Sequence, residues 1–420
     1  MSRQTTASRP TSGEAPFKAN EIFFSRTDDR GVIASGNKVF QRVADYDWTE
    51  LLGAPHKVIR HDDMPKAVFW LLWETIKKGQ PIGAYVKNLA KDGLYYWVFA
   101  IVTPVEGGYL SVRIKPTSDL KKTVEEEYAA LRAKEKKEGL SPEASAKLLM
   151  ARINELGFTD YTSFMAHALS QELASRGEQM GITCDLQMDQ FNGITEAVKK
   201  VETETAALFR TFEKIRGIPH NMRILASRLE AAGGPISVIS ANYGIMSHEI
   251  GTWVAEFMND SSSAFSEIVT AVHEGLFLKG TAMVQSEACT AFLKESHWSS
   301  DDVAQREAAI LKSQAEHYAS LSNEGLCRIL AQADRFSQAV RDMKRLITGL
   351  GATRMMCKIE GARLPKEGES LIEIIRQLDL FQDSIEQRLL QIDNLNRVIQ
   401  TNAANLAGET SPTASLKAAG

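Results

Sequence analysis

Arg60, His61, Asp62 and Asp63 occupy four consecutive positions between Val58-Ile59 and Met64-Pro65, inside an otherwise apolar stretch. A guanidinium, an imidazole and two carboxylates this close together are costly to fold around. The cost falls only if something polar binds there or the charges neutralise one another. Two readings follow from the residues: a polar ligand site, or a fixed ion-pair network between Arg60 and Asp63.

The elements that must position this cluster are short and mixed. Ile22-Phe23-Phe24 and Val32-Ile33 predict two strands joined across Thr27-Asp28-Asp29-Arg30-Gly31. Phe40, Val43, Leu51 and Leu52 mark short helical patches. An amphipathic helix is expected over 64–78, stopped by Gly79 and Pro81. Residues 84–89, 95–103 and 109–114 read as three further strands, with turns at Asp92-Gly93 and Gly107-Gly108. Strand, strand, helices and a three-stranded meander is an α+β order.

At 420 residues the chain exceeds one ordinary core, so two or more domains are expected. The net charge of −4 and the lack of a long basic block argue against nucleic acid as a partner. No apolar run approaches the about 20 residues that cross a bilayer, so no membrane insertion is expected. The N-terminus is rich in Ser, Thr and Pro with no apolar signal core. Cys184, Cys289, Cys327 and Cys357 lack CxxC or zinc spacing and read as free thiols in a reducing cytoplasm. There is no P-loop, dinucleotide-binding glycine fingerprint, histidine-kinase box or cyclase signature, and His248-Glu249 lacks the second His of a zinc protease motif. No enzyme is expected.

The first domain resembles the PAS domains of bacterial aerotaxis receptors. The resemblance spans about residues 18–117 and rests on ordered motifs. These are Asn37…Phe40, Glu50-Leu51-Leu52-Gly53-Ala54-Pro55-His56, Ile59 through Pro65, Gly79-Gln80-Pro81, Val86-Lys87-Asn88 and Tyr96-Trp97-Val98. It implies a five-stranded antiparallel sheet with flanking helices and a non-covalent FAD that reports redox state. The matching pocket residues are Asn37, Arg60, His61, Asp63, Phe69, Asn88 and Tyr96. Arg60 suits a phosphate or ribityl oxygen, the two asparagines the polar edge of an isoalloxazine, and Phe69 its apolar face. Two positions depart from the family: Asp62 replaces a common Pro, and Ile82 replaces a common Trp. Haem held by His56 or His61 is a further reading, and an empty domain that only binds protein is another. A photosensor bonded to its flavin through cysteine is excluded, because the domain contains no Cys.

After Thr117 helix formers with apolar residues at three- and four-residue steps take over. A signalling helix is expected within 118–140, shorter helices over 141–181, and an elongated antiparallel helical bundle over 182–405. Disordered tails are expected at 1–17 and 406–420. The bundle divides into arms of about 182–232, 236–297, 301–362 and 371–405, with a kink at Gly217-Ile218-Pro219. Arg228-Leu229-Glu230-Ala231-Ala232 is similar to Lys358-Ile359-Glu360-Gly361-Ala362, and the segments from Pro235 and Ser370 align without a gap. A duplicated helical hairpin follows, with tips near 233–235 and 364–369.

These segments resemble, distantly, the cytoplasmic signalling hairpin of chemoreceptors. That family implies a chemotaxis kinase and its coupling protein as partners, with Glu230, Glu360 and Arg363 at the matching contact positions. A homodimer is also compatible. The chain therefore reads as a cytoplasmic redox or oxygen sensor coupled to signalling partners. The competing reading is a non-catalytic scaffold with an empty PAS domain.

Overall fold

The computed structural model describes residues 9–182, 186–215, 217–228, 233–259, 263–295, 301–362 and 368–409. It separates into two compact units, Met1–Met188 with His273–Ser322 and Asp189–Val272 with Asn323–Gly420. The strands are β1 (Phe23–Asp28), β2 (Ile33–Gly36), β3 (Ile82–Leu89), β4 (Tyr95–Val105) and β5 (Gly108–Ile114). Between β2 and β3 lie α1 (Lys38–Ala44), α2 (Trp48–Leu51), a 3₁₀ turn (His56–Ile59) and α3 (Lys66–Ile76). The helices α4 (Leu120–Glu138), α5 (Pro142–Glu155), α6 (Tyr161–Met180), α7 (Leu186–Ile215), α8 (Ile218–Arg228) and α9 (Gly233–Asn259) follow. The last three are α10 (Ala264–Leu293), α11 (Asp301–Ala362) and α12 (Gly368–Glu409).

In the first unit the strands form one antiparallel sheet ordered β2-β1-β5-β4-β3, the α+β architecture expected. The β4–β5 turn needs glycine at 108, where a Cβ would stand 1.9 Å from the Thr27 carbonyl oxygen. Side chains alternate between the two faces of each strand. Ser25, Asn88, Ala100 and Arg113 share the inner face with α3, while Phe24, Tyr85, Phe99 and Thr103 share the outer face. β4 is buried on both faces over Tyr96–Val102.

The outer face is covered by α6 and α10. Phe24 meets the edge of Phe292 at 5.1 Å, and Gln285 donates to Thr103 Oγ1 at 3.1 Å. Tyr85 Oη donates to Glu172 Oε1 at 2.7 Å. The same buried carboxylate accepts from Ser118 Oγ at 2.6 Å and from the Thr117 and Ser118 amides at 2.5 and 3.0 Å. Glu172 thus ties β3 and the lead-in to α4 onto α6. Two ion pairs brace the same unit: Arg26 with Glu307 and Arg176 with Glu287, both at 2.5 Å.

The second unit is an antiparallel helical bundle, and its pairings give the directions. On α11 and α12, Lys344 pairs with Asp393, and Asn396 donates to the Ala333 carbonyl at 2.8 Å. On α7 and α12, Arg388 meets Glu204 at 2.7 Å, while Phe212 packs on Phe381 at 5.2 Å. In each pair one number rises as the other falls, the mark of antiparallel neighbours. Phe336, Val340, Met343, Ile347 and Leu350 are buried at helical steps along α11.

Several expectations differ from what forms. The single arm over 236–297 is two helices, α9 and α10, and His273–Ser322 belongs to the unit that holds the sheet. The physical reason is β4: a strand apolar on both sides needs cover on both. The tail expected over 1–17 is ordered from residue 9. Ala15 donates to the Tyr95 carbonyl at 2.7 Å, and Phe17 packs edge-on to Phe23 at 4.9 Å. Helix α12 runs past 405 to Glu409. α7 ends at Ile215 and α8 begins at Ile218, beside the expected kink at Gly217; of the expected tips, 233–235 opens α9 and 368–369 opens α12, while 364–367 lie outside the described residues.

Replacing Glu172 by Ala orphans four donors at once, and leaving buried donors unmade costs about 1–3 kcal/mol each before relaxation. Urea denaturation is expected to show a loss of about 3 kcal/mol for Glu172→Ala and a smaller loss for Glu172→Gln, which keeps one acceptor oxygen. Equal stability in all three proteins would contradict this role.

Candidate functional site

A cavity of about 300 Å³ lies between the inner face of the sheet, α3 and the 3₁₀ turn. Phe69, Leu72, Trp73 and Ile76 line it from α3; their three- and four-residue spacing puts them on one stripe. Val86, Ala100 and Val102 supply the opposite apolar wall from β3 and β4. The start of α3 is fixed from outside: Glu135 of α4 accepts from the Lys66 amide at 2.7 Å and from Ser145 Oγ at 2.6 Å. Arg132 of α4 also donates to the Asp62 carbonyl at 2.9 Å.

The residues expected at the site divide. Arg60, Phe69 and Asn88 line the cavity. Arg60 lies over the Phe69 ring at 3.8 Å, a cation–π contact, and burial holds its guanidinium below the ordinary arginine value. Asn88 is 3% exposed, and its carboxamide makes no hydrogen bond among the described residues. The other four do not line the cavity. Asn37 caps α1: its Oδ1 accepts from the Phe40 and Phe24 amides at 3.2 and 3.0 Å, while Nδ2 donates to the Ile22 carbonyl at 2.8 Å. Three of the carboxamide's four hydrogen-bonding directions are used there for the fold.

Tyr96 is fully buried and stacks on Phe23 at 5.7 Å. Asp63 pairs with Lys87 at 2.6 Å, which holds its carboxyl below the usual range, and its amide donates to His61 Nδ1 at 3.1 Å. Burial, then the nearby Lys87 charge, lowers the His61 pKa. The ion-pair reading of Arg60 with Asp63 therefore does not hold: Lys87 has taken Asp63. Ile82, at the family's tryptophan position, is buried opposite Val102 without lining the cavity.

The sequence reading missed the polar floor. Arg113 Nη2 donates to Ser25 Oγ at 2.7 Å and lies 2.6 Å from His56 Nε2, while Phe40 stacks on the His56 ring at 6.1 Å. Because Arg113 is a donor only, His56 Nε2 is the acceptor and the imidazole is neutral. Burial, then the Arg113 charge, pushes the His56 pKa down to about 3. A signal was present: Tyr109, Ser111 and Arg113 alternate along β5 with Leu110, Val112 and Ile114. A polar stripe facing a covered side marks something to satisfy.

The model of the PAS fold matches residues 33–112. Over 128 residues, 29% of this chain, the sequence is 41% identical to the aerotaxis receptor of Escherichia coli (strain K12). Residues 33–112 are a PAS domain of the aerotaxis-receptor type. A nitrogen fixation regulatory protein of Klebsiella pneumoniae is 30% identical over 84 residues, 20% of this chain. The chain spans 25% and 17% of the lengths of these two relatives, so the likeness is to a domain and not to whole proteins. A PAS domain crystal structure from Colwellia psychrerythraea is 21% identical and covers 22% of this chain and 85% of its own, with a TM-score of 0.20. No helix among the described residues is long and apolar enough to cross a membrane.

The neutral His56 makes the PAS domain acid-sensitive. Its pKa is about 3 in the fold against 6.5 when free, so between these values the unfolded chain binds the proton first. The stability it contributes is complete above pH 6.5 and is lost as pH falls, by about 1.4 kcal/mol per unit. Urea unfolding at pH 7 and pH 5 is expected to show wild type losing about 2 kcal/mol more than His56→Gln. Parallel losses in both proteins would contradict it.

Proposed function

We propose that the PAS cavity holds the isoalloxazine ring of FAD and that the chain is a non-enzymatic cytoplasmic sensor of redox state or oxygen. The observation that carries this reading is the cavity's chemistry. Flat and branched apolar walls from Phe69, Trp73, Val86 and Val102 face an unpartnered carboxamide on Asn88 and guanidinium groups on Arg60 and Arg113, and no carboxylate lines the space. A bound flavin supplies reversible electron transfer coupled to protons. The chain's own residues do the rest. Phe69 and Trp73 exclude water from the ring faces. Asn88 can donate and accept at a polar edge. Arg60, held over Phe69, keeps N–H groups for phosphate or ribityl oxygens. The exposed Lys57 puts further positive charge at the rim, where Arg30 is paired with Asp28 at 3.0 Å. Haem ligation fits less well, because the His56 Nε2 lone pair is committed to Arg113.

The route outward starts at α3. Arg60, held over Phe69, would carry a change in hydrogen bonding in the cavity to α3, whose first amides are held by Glu135 of α4. Arg132 holds the loop before it, and Tyr128 packs near Trp97 of β4 at 6.2 Å. Helix α4 is thus the natural reporter of cavity state.

The output proposed is a signalling protein, a chemotaxis kinase or its coupling protein among the candidates. In the bundle unit Val238 and Ile245 on α9, Met355, Met356 and Ile359 on α11, and Ile372 on α12 are exposed large apolar side chains. Such surfaces mark protein contacts. Of the contact residues named from sequence, Glu230 and Arg363 lie outside the described residues; Glu360 is in α11, with its side chain not described.

An absorption spectrum tests the sensor half. The purified chain is expected to carry the visible bands of oxidised flavin and to bleach reversibly with dithionite. A colourless protein that takes up no FAD on reconstitution would remove it. The output half is tested by deletion: unchanged swimming and no chemotaxis protein in pull-downs would remove that.

A further inference from the structure

The floor of the cavity contains a charge with nothing opposite it. Arg113 is 3% exposed, and its Nη1 is buried without a hydrogen-bond partner. Its other terminal nitrogen meets only neutral groups, the Ser25 hydroxyl and the His56 imidazole. Phe40 lies beneath the guanidinium at 5.3 Å. The cavity lining holds Arg30, Lys57, Arg60 and Arg113 but no Asp or Glu. Burial lowers the Arg113 pKa to about 10, which still leaves it a cation at neutral pH.

A guanidinium is a poor choice for bracing a serine and a histidine. Ser25 Oγ and His56 Nε2 already stand 3.5 Å apart and can satisfy one another without it. Enclosing an unpaired cation is among the costliest acts of folding, and an apolar residue of similar size commonly does better at such a place. The arrangement makes sense if the missing partner enters with the ligand.

We infer that Arg113 Nη1 is a ligand-binding donor, and that the cavity selects ligands that bring a ring carbonyl or anionic oxygen to it. His56 and Ser25 are positioning residues. They hold Nη2 and fix the guanidinium plane beside the cavity that Arg113 lines, leaving the buried Nη1 without a partner. The neutral state of His56 is part of the device, since an imidazolium would repel Arg113. Asn88, two strands away on β3, supplies a second free polar group on the same face, so a planar ligand is gripped at two separate polar points. This deepens the flavin reading and rests on it for the ligand's identity: in FAD the oxygen would be a pyrimidine-ring carbonyl.

The test compares the full chain with Arg113→Met and Arg113→Gln, each stripped of flavin, by thermal melting and by titration with FAD. A ligand-binding Arg113 predicts apo variants that melt at or above the wild-type temperature yet bind FAD at least tenfold more weakly. The inference is overturned if both variants melt below wild type without FAD, since Arg113 is then a structural brace. It is also overturned if both bind FAD within threefold of wild type. Arg113→Gln keeps the comparison open should Arg113→Met fail to fold. If wild type takes up no FAD, the flavin reading falls, and the apo melting order alone decides whether Arg113 is held for a ligand.

Discussion

Glu172, enclosed beneath the outer face of the sheet, is the interaction on which the first unit depends. One carboxylate accepts from Tyr85 on β3, from the Ser118 hydroxyl and from two backbone amides at the lead-in to α4. A buried carboxylate is tolerated only when its lone pairs are filled, and here hydrogen bonds fill them. With α6 and α10 fixed over the outer face, the strands need only one more cover. The inner face receives it incompletely, and the gap is the cavity.

That asymmetry separates stability from recognition. Outer-face residues such as Phe24, Phe99 and Thr103 are packed or bonded within the unit. On the inner face, the Arg113 Nη1 and the Tyr96 hydroxyl are buried without partners, Asn88 lines the cavity, and Arg60 rests on an aromatic ring. Polar groups left in this state inside a domain are the mark of a site that expects company.

The same helix that closes the cavity also connects it to the rest of the unit. Phe69, Leu72, Trp73 and Ile76 face the cavity, and the first amides of α3 end on Glu135 of α4. A change on one side of α3 is therefore felt on the other through a buried hydrogen bond. Such contacts have few alternative arrangements.

Sequence alone determined the order of elements: the strands, the helix ending near Gly79, the cap at Ser141 and the long α4 all follow from period and turn residues. The resemblance to aerotaxis-type PAS domains pointed to Arg60, Phe69 and Asn88, which do line the cavity. Tertiary structure decided which of the other polar residues were free. Asn37 and Asp63 have types equally suited to binding, but the fold uses the first as a cap and Lys87 neutralises the second. Arg113 carried no local signal beyond alternation, because a buried guanidinium is recognised only by the partners it lacks. The charge cluster at Arg60–Asp63 is dense in sequence yet divided in space. Neighbouring residues in a loop point in different directions, and only packing assigns each to the ligand or to the fold.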